Sequence, residues 1–90
     1  MSEQLNKLRL AIDEQDRQII AALGRRMELS EKIGEYKKQK GIPVYAPERE
    51  SAVLERIREL AGERYAADMT RIYSLIIELS RIRQEKNSHE

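Results

Sequence analysis

Residues 2–41 carry an apolar stripe along one side of what reads as a single helix, and this stretch limits the possible folds more than any other. Leu5, Leu8, Ile12, Ile19, Leu23, Met27 and Ile33 recur with the period of an α-helix and not of a strand. Ser2 stands where an N-cap is needed, and Glu3 follows in the first turn to complement the helix dipole. Gly41, followed by Ile42 and Pro43, marks the end. A helix of about 36–38 residues is roughly 55 Å long. A compact domain of this size has a radius of gyration of only roughly 12 Å. The rest of the chain supplies only shorter helices, which do not cover both sides of such a rod. The sequence therefore predicts a dimer with the long helices packed together. Gly24 and Gly34 each cost about 1 kcal/mol relative to Ala in a helix interior, and their expected use is close approach of another helix, with a kink as the alternative.

Residues 42–46 read as a short loop, and Pro47 suits the first position of a second helix. That helix is predicted to run to about Ala61, with Gly62 ending it and the stripe Val53, Leu54, Ile57, Leu60, Ala61. A short connection containing Tyr65 leads to a third helix, from Ala67 or Asp68 to Glu85. Its stripe is Met69, Ile72, Tyr73, Ile76, Ile77, and then turns polar at Ser80 and Gln84. The expected fold is all-α, one domain over residues 1–90, with helices in the order long, short, medium.

Composition narrows the function. The 17 basic residues face 16 acidic ones, a net charge of +1, which argues against a general nucleic-acid binder. With no cysteine there is no disulfide, no thiolate nucleophile and no thiolate metal site. The one histidine, His89, lies in the polar tail, which argues against a histidine metal site or a Ser–His triad. No apolar run approaches the ~20 residues of a membrane span. The N-terminus has no signal-peptide pattern. The simplest reading is a soluble, cytoplasmic protein without a metal or cofactor.

The informative residues are those that break the stripes. At about 100° per residue, Arg26 falls in line with Leu8, Lys37 with Ile19, and Ser30 with Ile12. Glu50 projects onto the second stripe and Arg49 lies at its edge, while Arg9 borders the first. An unpaired buried charge is costly, so basic side chains inside an apolar face call for anionic partners. Each residue also has a structural reading. Arg9 can be an exposed helix residue and Arg49 a surface ion-pair member. Ser80 can be a small contact residue and Gln84 a solvated helix end. Lys37 can be a cation complementing the helix dipole, and Arg26 a buried partner of Glu50. Arg26 and Lys37 stand about 16 Å apart along the axis, so they can converge on a small anion between them. The ligand expected from this set is small, bears more than one carboxylate, and presents neutral oxygens to Gln84, Ser80 and Glu50. With no nucleophile or cofactor loop, an enzyme built this way works by positioning and electrostatics.

As a set, the residues resemble the all-helical chorismate mutases of the AroQ class, in their small dimeric form. The resemblance covers nearly the whole chain. It is carried by Leu8-Arg9 with Ile12 and Asp16, the run Arg25 to Leu29, Gly34 with Lys37, Pro43-Val44 leading to Glu48-Arg49-Glu50, and Ile76 to Ser80 with Gln84. It implies rearrangement of chorismate to prephenate, on the route to phenylalanine and tyrosine, by an intertwined homodimer. Each site would draw on one protomer plus an arginine of the other. By position, Arg9 would be that crossing arginine, on one substrate carboxylate. Arg26 would hold the second carboxylate, with Ser80 nearby. Lys37 and Gln84 would donate to the ether oxygen, Arg49 would add positive potential, and Glu50 would accept from the ring hydroxyl. Some members have an acidic residue where this chain has Ala46. Two other readings remain at this stage: an isochorismate-pyruvate lyase on the same fold, and a non-catalytic helical dimerisation module.

Overall fold

A computed structural model describes residues 2–88, and His89 lies outside that range. Two helices form, α1 (Glu3–Lys40) and α2 (Pro47–Ser88), with no strand among the described residues. Both ends of α1 follow from the sequence. The Leu5 N–H donates to Ser2 Oγ at 3.0 Å, capping the first turn. Gly41 takes the left-handed conformation at φ 68°, ψ 28°. Its N–H donates to the Lys38 carbonyl at 3.3 Å, and that of Ile42 to the Lys37 carbonyl at 2.8 Å. These bonds satisfy carbonyls that the helix end would otherwise strand.

The predicted second and third helices are joined more tightly than expected. They meet within α2 with no loop between them: the first limb ends at Gly62, as expected, with φ 76° and ψ 165°, and the second starts directly after it. Tyr65, expected in a connection, is helical. Residues 63–67 contain no Gly or Pro, and Ala66 and Ala67 are strong helix formers, so helix resumes at once. The Gly62 geometry is one that essentially only glycine adopts, so a single residue absorbs the whole change of direction. That change is large. Glu50 and Arg81 are in contact across Gly62, whereas a straight helix would separate them by about 46 Å. The limb before Gly62 therefore folds back against the limb after it.

The result is long and flat. The principal extents are 59 × 29 × 14 Å, and the radius of gyration is 16.8 Å, above the compact value. The smallest extent is less than a quarter of the longest, so the chain is a thin slab. A slab this thin buries little. The core is Val53, Ile57 and Ile77, with Leu54 and Tyr73 packed against it. Of the expected stripes, Leu60 is 75% exposed and Ile72 54%. Every residue from Ser2 to Ala22 is exposed. The stripe residues Leu5, Leu8, Ile12 and Ile19 thus stand on an uncovered arm of α1.

Replacing Gly62 by Ala is expected to lower stability by roughly 1–3 kcal/mol, because Ala is strained at that geometry. Urea unfolding of the two proteins at equal concentration measures this. An unchanged midpoint would mean that the reversal does not depend on this residue.

Candidate functional site

The helices meet where α1 has lost a side chain. An added Cβ at Gly34 would lie 2.5 Å from the Gln84 carbonyl oxygen and 2.6 Å from its Cα. Only glycine permits this approach, which matches the use expected for Gly34. Around Gly24 nothing lies within 4 Å, so the same expectation finds no counterpart there within one chain. The approach brings the polar end of the α2 stripe against the polar interruptions of α1.

Between them lies a cavity of about 380 Å³, within the range of small-molecule sites. Arg26, Ser30 and Lys37 line it from α1, Val44 and Ala46 from the loop, and Arg49, Glu50, Ser80 and Gln84 from α2. Six of the seven sequence-predicted site residues are thus brought together. Arg9 is not among them. It lies on the exposed arm, about 25 Å along α1 from Arg26.

The two α1 cations that line the cavity, Arg26 and Lys37, are each held by a neutral group. Arg26 Nη1 donates to Ser80 Oγ, and its guanidinium lies over the Tyr73 ring at 5.8 Å. Lys37 Nζ donates to the Val44 carbonyl at 2.9 Å. Because the Lys37 carbonyl also accepts from Ile42, the helix-ending turn fixes Lys37 at both ends. The reading of Arg26 as a buried partner of Glu50 does not hold: Glu50 pairs with Arg81. Arg81 Nε donates to Glu50 Oε2 at 3.0 Å and Nη2 to Oε1 at 2.8 Å. The hydrogen bond to Glu50 raises the pKa of the Arg81 guanidinium further above neutral, against a smaller opposing effect of burial.

The electrostatic balance is one-sided. Arg26, Lys37, Arg49, Arg56 and Arg81 line the cavity against one lining carboxylate, Glu50. Among the described residues, only Arg81 of these cations has a carboxylate partner. The others converge on the cavity while bonded to neutral atoms or exposed to solvent. Such a site favours a small ligand with more than one negative charge. The Gln84 Oε1 is buried without a hydrogen-bond partner among the described residues. An unmet acceptor of this kind costs about 1–3 kcal/mol, so it does not serve stability.

The sequence profile described as chorismate mutase type II matches residues 8–85. The chain belongs to this family. It is 34% identical over 92 residues to a chorismate mutase of Methanocaldococcus jannaschii, a match spanning 100% of this chain and 93% of the relative. It is 45% identical over 62 residues to the T-protein of Haemophilus influenzae, covering 69% of this chain but 16% of that longer protein. Among solved structures, a conserved hypothetical protein from Pyrococcus furiosus superposes with a TM-score of 0.79 at 34% identity, covering 93% of this chain and 99% of that one.

Sequence reasoning missed two charged residues that line this cavity, Arg56 and Arg81. Both had a signal. Arg56 stands two turns after Arg49, and Arg81 continues the spacing from Ile77 to Gln84, on the same helix face. Substituting Gly34 by Ala forces the Gln84 backbone away and is expected to destabilise the protein by about 1–3 kcal/mol, the usual cost of overpacking. The effect should appear in chemical denaturation, with a matching loss of ligand-induced stabilisation. A protein with unchanged melting and binding would show that the close approach is dispensable.

Proposed function

We propose that the chain is a chorismate mutase that converts chorismate to prephenate, working without a cofactor as a cytoplasmic homodimer, with residues 1–90 as one domain. Family membership supports the reaction. The observation that carries the site assignment is the set of converging cations without carboxylate partners, in a cavity sized for a small dicarboxylate. In the rearrangement one C–O bond breaks as one C–C bond forms, within one molecule. No proton must be transferred to a protein group and no nucleophile is needed. The protein's task is to hold the reactive compact conformer and to stabilise charge on the ether oxygen.

The roles are those that the family resemblance implies, and the cavity lining supports them for six of the seven residues. Arg26, steadied by Ser80 and Tyr73, binds one carboxylate in bidentate fashion. Lys37 and Gln84 face the same cavity from opposite helices and donate to the ether oxygen as negative charge develops. Arg49 adds positive potential, and Glu50 accepts from the ring hydroxyl. Ala46 puts only a methyl group on the cavity wall, so it leaves hydroxyl recognition to Glu50.

Two observations support the dimer. The chain is thin, 14 Å in its smallest extent, and it leaves apolar side chains of both helices open to water. The arm of α1 carries Leu5, Leu8, Ile12 and Ile19 uncovered. A second copy would bury this stripe and, in the same act, deliver Arg9 into its cavity to grip the second carboxylate.

Incubation with chorismate is expected to yield prephenate. Lys37→Ala should reduce turnover by ~10² or more, the range for loss of one charge-stabilising donor, with the dimer still folded. A fully active Lys37→Ala protein would contradict the role given to Lys37. Conversion of isochorismate alone would redirect the assignment to the lyase. Mixing inactive Arg9→Ala and Lys37→Ala proteins should recover about a quarter of wild-type activity, because half the dimers are mixed and each has one intact site. No recovery on mixing would place Arg9 outside the partner's site.

A further inference from the structure

The ion pair of Arg81 with Glu50 is the least expected feature of the cavity, and it is built from three segments. Arg81 comes from the last turns of α2 and Glu50 from its first turn. Tyr45, from the loop before α2, lays its ring over the Arg81 guanidinium at 5.0 Å. The pair is partly buried, with side-chain exposures of 33% and 24%. The fork uses one position on each Glu50 oxygen and leaves each oxygen further acceptor capacity. Glu50 is also the one carboxylate lining a cavity that holds Arg26, Lys37, Arg49 and Arg56. A mobile carboxylate at this place would be drawn to those cations and would compete with an anionic ligand.

We infer that Arg81 is a positioning residue: by engaging both oxygens of Glu50 under the Tyr45 ring, it holds that carboxylate as an oriented hydroxyl acceptor and keeps it off the cations that bind the dicarboxylate. This rests on the mutase reading. Arg81 need not touch the substrate; it acts through Glu50. Lysine would not replace it, because an ammonium lacks the fork that engages both oxygens.

The test is a set of steady-state measurements on the full chain with chorismate, comparing wild type, Arg81→Met, Arg81→Lys, Glu50→Gln and the double variant Arg81→Met/Glu50→Gln. Arg81→Met keeps most of the aliphatic bulk and frees Glu50. It is expected to raise KM by about tenfold, within the range for coupled neighbours, with a smaller loss in kcat. Arg81→Lys should fall between Arg81→Met and wild type. In the double variant the competing charge is gone, so KM should return towards that of Glu50→Gln alone. A purely structural Arg81 would not show this relief, since removing Glu50 would not restore packing. If KM is unchanged in Arg81→Met, or if the two substitutions add without relief, the inference is wrong. Should Arg81→Met fail to fold by circular dichroism, Arg81→Lys with and without Glu50→Gln gives the same comparison, and additivity there overturns the inference as well. Wild-type protein that leaves chorismate unchanged would overturn the mutase reading and this inference together. Active wild type with additive variants would overturn this inference alone.

Discussion

The contact on which the architecture depends is the approach of the Gln84 backbone to Gly34, at a distance no Cβ would allow. It sets how α1 lies on the far limb of α2. Because both stripes turn polar near this point, the closest contact between the helices is also where charged groups meet. Lys37 follows Gly34 by three residues and Ser80 precedes Gln84 by four, so each lies about one turn from the contact. A helix pair held apart by an alanine would separate the groups that face each other across the cavity. The loop adds a second constraint, since the turn that ends α1 also binds the Lys37 amine through Val44.

Electrostatics then shape what the cavity accepts. Buried ion pairs usually compensate charge, yet here one pair, Arg81 with Glu50, removes the lining carboxylate from the balance and leaves the other cations without carboxylate partners among the described residues. Neutral partners orient Arg26 and Lys37 without neutralising them. This preorganisation suits a reaction in which charge shifts within a bound dianion, because the groups need not rearrange as it proceeds. It also explains why a chain without cysteine, and with its one histidine in the tail, is compatible with the proposed catalysis.

The same chain is poorly covered. So thin a chain leaves the first half of α1 exposed along its apolar stripe. Under the proposed dimer, stability and site completion have a common origin: burying the arm would also bring Arg9 to a substrate carboxylate. The core of three residues among those described is small for a protein of 90 residues, which is what shared burial would lead one to expect.

Much was legible in the sequence, because local signals act over one or two turns. The Ser2 cap, the Gly41 stop, the Pro47 start and the stripe interruptions at Arg26 and Lys37 follow from period, propensity and the cost of placing charge on an apolar face. So did six of the seven residues expected in the site. Tertiary structure decided the rest. It joined the second and third helical segments through Gly62 alone, since one glycine reverses the chain without a longer loop. It gave Glu50 to Arg81 and not to Arg26, a pairing that helical spacing does not reveal even though it puts Arg81 on the face of Ile77 and Gln84. It also left Arg9 on an uncovered arm. Partner choice across 31 residues of sequence depends on how the limbs of α2 fold back, and periodicity carries no information about that.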